Sequence, residues 1–450
     1  MEILKMKAKR NTPFEYFRKA AVSFLIFAVV LFIFMGTKSI SNAKTKTPKK
    51  PTYTLTTKTK VLDKKMTKFS TYNSNTKTYY MLRSYLEKLE KTGGGKLVLK
   101  KGTYIVTNSL YVPSNVTIQL ENGVKIVKGI KTGVKNMEPS HSIFQFVRPS
   151  KANKKHVYGK FNGEKNIKLI GKGDATIDIN YDFQSLGIVM GHNSNITIDH
   201  IQFENMYGGH FIELDASKHV VIKNSSFNSS IHWEEHDKEG INLDTPDLAT
   251  QGFTHDWSKY DKQANNDVLI TNNVFDGLDR AIGTHKYSEG SIHKKVVIRN
   301  NTIQNMYSDA IRVMNWSDLI IEKNTFTDIG DKSNLNDNTR GILLSGASNP
   351  TIQLNTFIGV PRAMQFMVWK NNGPGSEYKP IYNKLSDTNK KVLKNNVYMN
   401  VNEDFIRINN KTFGDYSSPE KIYLSVKIPQ DSQQLFIDAY HSKGTLTKVK

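Results

Sequence analysis

The chain has 450 residues, of which 38% are hydrophobic, and a formal charge of +22 from 63 Lys and Arg against 41 Asp and Glu. It has no cysteine, which excludes disulfides and zinc sites built on thiolates. The positive charge favours polyanionic partners, although lysine-rich composition alone would also produce it. The length fits one to three ordinary domains, or one long repetitive β domain.

The first 43 residues have the layout of a secretory signal peptide. Residues 1–19 are basic, residues 20–35 are apolar except for Ser23, and Ser41-Asn42-Ala43 offers small residues for cleavage. The apolar run is shorter than the roughly 20 residues of a membrane-spanning helix, and an uncleaved anchor is the alternative. We therefore expect a secreted or cell-surface bacterial protein that meets the membrane only if this segment is retained.

Residues 44–74 are rich in Lys, Thr and Pro without a clear period, which predicts a basic linker. Residues 75–92 carry apolar side chains at helical spacing, and three glycines follow. A helix there would cap the open end of a stacked β core, which otherwise exposes unpaired backbone. We predict a β domain over residues 75–414 and capping strands over residues 415–450.

Short alternating strands follow from Lys96 onward, separated by turns that contain Gly or Asn. An element of the form Asn-x-aromatic or Asn-x-aliphatic then recurs, with apolar anchors at positions 203, 227, 275, 303, 326, 357 and 398. A basal turn of about 23 residues with insertions explains this series, and such a period indicates a solenoid. Stacked asparagines can hydrogen-bond one another, so we assign them a structural role.

Five six-residue segments align with one another inside this repeat: His210–Asp215, Glu239–Asp244, Arg280–His285, Asp309–Met314 and Arg340–Ser345. In a strand, alternate side chains point to opposite faces, so the third and fifth residues face a core and the fourth and sixth face outward. If the segments are neighbouring parallel strands, the outward residues form two columns. These columns are Glu213, Asn242, Gly283, Arg312 and Asp215, Asp244, His285, Met314.

The carboxylates Asp215, Glu239 and Asp244 are the candidate catalytic residues, together with His285. Glycoside hydrolysis needs one protonated and one ionised carboxyl, and stacked like charges raise one pKa. We assign Asp244 as general acid and Asp215 or Glu239 as base or nucleophile. His285 and Arg312 would position the substrate.

Insertions at residues 228–238, 246–266, 286–294 and 331–339 flank this patch and would form the walls of a cleft. Their aromatic rings could stack on sugars. No zinc motif fits the histidines and acids in the insertions, and the 331–337 loop lacks the glycine and glutamate of a calcium loop, so we predict no metal site. The candidate substrate-binding residues are His210, Glu213, Asn242, Arg280, Asp309, Arg312, Arg340, Trp233, Trp257 and Trp316.

The Asn-x-aromatic ladder, the opening GGGKLVLKKGTYIV and the repeats NITIDHIQF, HVVIKNSSF and VVIRNNTI resemble the pectin-lyase-like superfamily over about residues 75–410. The resemblance implies an all-β fold, a right-handed single-stranded parallel β-helix. Its polygalacturonases carry short motifs on successive turns, which Asp244, His285 and Arg312 match best. The adjacent Asp-Asp, the Gly after His and the Lys after Arg are absent here.

The resulting hypothesis is an exported, monomeric enzyme that hydrolyses an extracellular acidic polysaccharide without a cofactor. A polysaccharide lyase or uronan C5-epimerase is the first alternative, with His285 or Arg312 as base; the resemblance implies calcium for the lyase. A non-catalytic polysaccharide or cell-wall binder is the second. Nucleic acid is not an expected partner, because an exported protein meets acidic polysaccharide, teichoic acid and anionic lipid first.

Overall fold

The computed structural model describes residues 50–233, 236–330, 339–373, 376–399, 401, 406–414 and 419–422. The predicted signal segment, residues 1–43, lies outside them, as do residues 423–450 of the predicted C-terminal cap. No helix among the described residues is both long and apolar enough to cross a membrane.

The described residues build three long sheets, and the chain visits them in turn, so that each strand pairs with the strand one coil later. The strand pairings within the coil are parallel. Among the described residues, Ile406–Asn409 pairs antiparallel with Glu420–Ile422, and Trp369 and Ile381 form an isolated antiparallel bridge. Parallel neighbours reached through intervening strands define a parallel β-helix. This confirms the predicted all-β coil.

The strand bounds follow the three sheets in spatial order. The first sheet contains Thr52–Leu55, Gly95–Leu99, Val116–Leu120, Lys165–Gly171, Ser194–Asp199, Lys218–Lys223, Asn266–Thr271, His293–Arg299, Ile320–Glu322 and Thr351–Gln353, with Trp316–Ser317 beside it. The second contains Gly102–Val106, Val124–Lys128, Ala175–Asp178, Gln202–Tyr207, Ser226–Ile231, Val274–Asp276, Thr302–Met306, Thr325–Ile329, Thr356–Ile358 and Val397–Met399. The third contains Leu110–Tyr111, Ser142–Gln145, Leu186–Gly191, His210–Asp215, Glu239–Asp244, Arg280–Gly283, Ile311–Met314, Arg340–Ser345, Arg362–Met367, Ile406–Asn409 and Glu420–Ile422.

The core is a continuous column of inward side chains, as the alternating pattern predicts. The predicted anchors lie in register along the second sheet, where Phe203, Phe227 and Phe275 stack with ring centroids 4.8 and 4.7 Å apart. Phe326 and Phe357 repeat the arrangement at 4.6 Å. Stacking of equivalent residues fixes the register of each coil on the next.

The asparagine ladder is confirmed as a structural device. Asn301 Nδ2 donates to Asn324 Oδ1 over 2.9 Å, and Asn324 Nδ2 donates to Asn355 Oδ1 over 3.0 Å. Each of these amides also donates to a backbone carbonyl, for example Asn301 to Ile270 O over 3.0 Å. The ladder therefore satisfies buried backbone groups at the bend before the second sheet.

Helix α1 spans Lys77–Lys91, close to the predicted bounds, and buries Leu82, Leu86 and Leu89 against the first coils. A second helix, α2, spans Asp387–Val392, and 3₁₀ turns span Lys64–Lys68 and Leu393–Asn395. The linker predicted for residues 44–74 is wrong over residues 50–74. Thr52–Leu55 is the first strand, and Leu55 and Met66 are buried in the core. The apolar residues of this segment are too sparse to show a period in the sequence.

Candidate active site

The third sheet brings the predicted outward columns together. Glu213 pairs with Asn242, and Asn242 pairs with Gly283, which in turn pairs with Arg312. Asp215 pairs with Asp244 on the neighbouring strand. Adjacent strands lie about 4.8 Å apart, so this register places several carboxyl groups in one patch, as the repeat predicts.

A cleft of about 440 Å³ lies over this patch. Five predicted residues line it, namely His210, Glu213, Asn242, Asp244 and His285. Sequence reasoning missed several other lining residues. Those that matter for its shape and charge are Gly208, Gly209, His236, Lys238 and Lys286. Lys238 directly precedes Glu239 and Lys286 directly follows His285. This adjacency to predicted site residues could have identified both lysines from the sequence.

Two predicted catalytic residues do not reach the cleft. Asp215 and Glu239 are both fully buried and are not among its lining residues. Asp215 lies in register with Gly191, where an added Cβ would be 2.6 Å from the Trp257 ring, so a loop closes over this end of the column. Strand alternation indicates which side chains leave the coil, but it cannot show that a distant loop covers them.

Glu239 is instead the anchor of a buried ion pair. Arg280 Nη1 donates to Glu239 Oε1 over 2.8 Å, and Arg280 Nη2 donates to Asp237 Oδ2 over 3.2 Å and to Ser308 Oγ over 3.1 Å. Although burial opposes ionisation, the charge of Arg280 holds the pKa of Glu239 well below its usual range. The prediction that Arg280 binds substrate is wrong, because its guanidinium is buried and already paired.

Glu213 faces the cleft from the next strand. Asn242 Nδ2 donates to both of its carboxylate oxygens, over 3.0 and 3.2 Å. Burial, followed by the charge of Asp244, raises the pKa of Glu213 to about 8. Burial and the charge of Glu213 likewise raise the pKa of Asp215 well above its usual value. Protonation of either member of this pair removes one of two adjacent buried charges.

Asp244 is held differently from Glu213. Its Oδ1 accepts the backbone N–H of His285 over 2.8 Å and that of Lys286 over 3.3 Å. Burial and the charge of Glu239 raise the pKa of Asp244 to about 7, while these backbone hydrogen bonds favour its ionised form. Asp244 therefore has two fixed backbone donors that favour its ionised form, whereas Glu213 accepts from one side-chain amide.

The two cleft histidines flank Glu239. His210 Nδ1 donates to the Glu239 backbone carbonyl over 2.7 Å, and Glu239 Oε2 lies 3.8 Å from Nδ1 of both His210 and His285. Burial lowers the pKa of His210 to about 4 and that of His285 to about 3, so both rings are neutral at pH 7.

These three residues are also the described cluster whose geometry could hold a metal ion, since one ligand atom from each lies within 4.8 Å of the others. His210 and His285 would supply imidazole nitrogens and Glu239 a carboxylate oxygen, a donor set that suits a transition metal. Arg280 already supplies a positive charge to Glu239. The sequence expectation of no metal stays a prediction.

The remaining predicted arginines lie beyond the cleft lining. Arg312 Nη2 donates to the His285 carbonyl over 3.2 Å, and its guanidinium lies 5.6 Å from the centroid of Trp369. Arg312 thus positions the His285 backbone. Arg340 Nε pairs with Asp309 Oδ1 over 3.0 Å, so these two predicted substrate ligands contact each other. The predicted wall over residues 331–338 lies outside the described residues.

The three predicted tryptophans have different positions. Trp316 is fully buried and donates from Nε1 to Thr284 Oγ1 over 2.8 Å, and Trp257 is 2% exposed and donates to Gln145 Oε1 over 3.1 Å. Neither can contact a substrate, because Trp316 belongs to the core of the coil and Trp257 to a second buried cluster beside it. Trp233 is half-buried, with Lys238 Nζ 5.4 Å from its ring centroid, at the edge of the cleft.

The comparisons agree on the fold. A family model described as "Right handed beta helix region" matches residues 260–414. The crystal structure of PfbA, a surface adhesin of Streptococcus pneumoniae, superposes with a TM-score of 0.51 at 18% identity, covering 76% of this chain and 90% of that one. A second structure of the same surface protein gives 0.50 at 18% identity, covering 74% and 96%. The chain is therefore a right-handed parallel β-helix protein.

One curated relative is also similar in sequence. Plasmin and fibronectin-binding protein A of Streptococcus pneumoniae is 26% identical over 255 residues, which are 52% of this chain. The match spans only about a third of the relative, 34% of its length.

Proposed function

We propose that the protein cleaves an extracellular acidic polysaccharide by glycosidic hydrolysis at the cleft of the third sheet. The observation that carries this proposal is the pair Glu213 and Asp244. Both carboxyls line one cleft from adjacent strands, both have a raised pKa, and their hydrogen-bond donors differ. Glycosidases need two carboxyls in opposite protonation states on the scissile bond.

The roles follow from the hydrogen bonds. Glu213, which keeps its proton to higher pH, is the general acid that donates to the leaving oxygen. Asp244, whose Oδ1 accepts two backbone N–H groups, is the base or nucleophile. This reverses the role that the sequence suggested for Asp244. Glu239 acts from behind the cleft, because its charge adds to burial in raising the pKa of Asp244.

The charges of the cleft favour an anionic sugar. Lys238 and Lys286 line it, and His236 is exposed at the same edge. Two lysines beside a buried acid group would attract a uronate or sulfated polymer and bind its charged substituent. Export to the cell surface or the medium would place the enzyme with such polymers.

The test is product analysis on a panel of uronic-acid and amino-sugar polymers. Glu213→Gln and Asp244→Asn should each lower the rate by about 10²-fold or more, while Asp267→Asn, an exposed carboxylate on the first sheet, should keep full activity. Full activity in both cleft variants would overturn the assignment. Unsaturated uronides that absorb in the ultraviolet would show a lyase, and an unchanged chain length with altered sugars would show an epimerase.

A second candidate function is adhesion to host proteins, because the curated relative is named for binding plasmin and fibronectin. The purified chain would then bind immobilised plasmin or fibronectin, and Glu213→Gln would not affect this binding. The two functions can be separated in this way, since adhesion needs no titrating carboxyl pair.

A further inference from the structure

A line of exposed and half-buried rings runs along one corner of the coil, where the chain passes from the second sheet to the third. Phe183 is 42% exposed and contacts Tyr207 and Trp233, with ring centroids 5.0 and 5.2 Å away. His232 and Tyr307 continue the line, stacked at 5.1 Å. We call these five residues the aromatic ribbon.

The ribbon follows the coil axis because its members occupy equivalent turns of successive coils. Phe183 precedes the strand Leu186–Gly191, and Tyr307 precedes Ile311–Met314, four coils further along the third sheet. At about 4.8 Å per coil, the ribbon spans about 19 Å. That length exceeds one sugar ring and suits several consecutive units of a chain.

The local contacts keep the rings on the surface. The turn at Asp279 carries no aromatic residue, and His232 lies over it. Its Nδ1 is 2.7 Å from Asp279 Oδ1, and its ring stacks on Tyr307. Tyr307 is 54% exposed, so its ring is not needed for the core. Large rings held in fixed orientation but left exposed indicate a binding surface.

The ribbon joins the cleft directly. Gly208 lines the cleft, and an added Cβ there would lie 2.8 Å from the Phe183 ring and 3.5 Å from the Trp233 ring. Lys238 lies both in the cleft lining and against Trp233. A chain that stacks on the ribbon would therefore enter the cleft beside a positive charge.

We propose that the aromatic ribbon is a binding track for a chain of acidic pyranose sugars that lies along the coil axis and enters the cleft at Gly208. The ring faces would stack on the apolar faces of the sugars, and Lys238 would pair with a carboxylate or sulfate. The substrate class rests on the proposed function. The ribbon is one ring wide and carries a cation, which fits a thin anionic polymer better than a broad protein surface.

The test measures binding without cleavage. In the Asp244→Asn background, affinity electrophoresis in polygalacturonate and in hyaluronan should show retention of the full chain. Phe183→Ala and Tyr307→Ala should each weaken that retention about two- to tenfold. Tyr382→Ala is the matched control, because Tyr382 is 46% exposed near the other end of the coil and should have no effect. Thermal unfolding confirms that each variant is folded.

The outcomes separate this proposal from the proposed function. If the ribbon variants bind a polymer more weakly and the wild type never cleaves it, the binding track is supported and the proposed hydrolysis is contradicted. If both ribbon variants bind as well as the wild type and Glu213→Gln loses cleavage, only the binding track is contradicted. The glycan track would be overturned if neither polymer retained the protein. It would also be overturned if Tyr307→Ala lost plasmin or fibronectin binding while its retention by the polymers was unchanged.

Discussion

Arg280 Nη1 lies 2.8 Å from Glu239 Oε1 at a place where both side chains are buried. The pair fixes a permanent negative charge behind the cleft, because Arg280 keeps Glu239 ionised. That charge is one cause of the raised pKa of Asp244. A buried ion pair that does not line the cleft thus influences the protonation of Asp244, which does.

Loss of Arg280 should therefore destabilise the fold. Arg280→Met leaves the Glu239 carboxylate buried without its cation, and we expect a decrease of about 3–5 kcal/mol in the free energy of unfolding, measured in urea. The double variant Glu239→Gln with Arg280→Met should recover most of this decrease. A single variant as stable as the wild type would show that the pair is not compensating a buried charge.

Activity should have a bell-shaped pH profile. Below a pH of about 7 Asp244 takes up a proton and can no longer act as base, and above about 8 Glu213 loses the proton that it must donate. The profile of kcat/KM should therefore be highest between these values, and the two limbs belong to the coupled pair. Activity that keeps rising above pH 9 would exclude Glu213 as the acid.

The stability of the protein should also depend on pH, because of the raised pKa of Glu213. The folded-state pKa of Glu213 is raised to about 8 from 4.5, so this group stabilises the fold fully below pH 4.5 and progressively less as the pH rises towards 8. Glu213→Gln removes that dependence. We expect the variant to lie within about 1 kcal/mol of the wild type at pH 5 and to exceed it by on the order of 4 kcal/mol at pH 8. Equal pH dependence in both proteins would contradict the raised pKa.

The asparagine ladder should affect stability and leave activity intact. Asn301→Ala removes the donors to Asn324 and to the Ile270 carbonyl, and the acceptor for the Asn273 backbone N–H. Buried groups left without partners should lower the free energy of unfolding by about 1–3 kcal/mol. Asn153→Ala, at an exposed position, is the control and should have little effect. The specific activity of folded Asn301→Ala should equal that of the wild type.

Chelation should leave activity unchanged. The cluster of His210, Glu239 and His285 could hold an ion, but Arg280 already compensates Glu239. Dialysis against EDTA and elemental analysis of the protein before dialysis check this expectation. Activity that disappears with EDTA and returns with one divalent metal would assign the cluster as a metal centre instead.

The register of the site was predictable from the sequence, because strand alternation has a period of two and the aligned repeats differ only by insertions. Glu213, Asn242 and Asp244 therefore lie on the strands and faces that the repeat indicates. Arg280 also lies in register with Glu239, as the aligned segments predict. Their ion pair could not be read in this way, because two neighbouring charged side chains can face the solvent or pair with each other.

By itself, the sequence determined the coil: periodic apolar anchors, the asparagine ladder and a helix at the first turns all act between neighbouring coils. Only the tertiary structure decided which outward residues remain accessible. Trp257 and Trp316 are buried while Trp233 is half-buried at the edge of the cleft, and Asp215 is covered while Asp244 lines the cleft. Insertions carry no period, so the places where their loops pack depend on contacts between residues far apart in the chain.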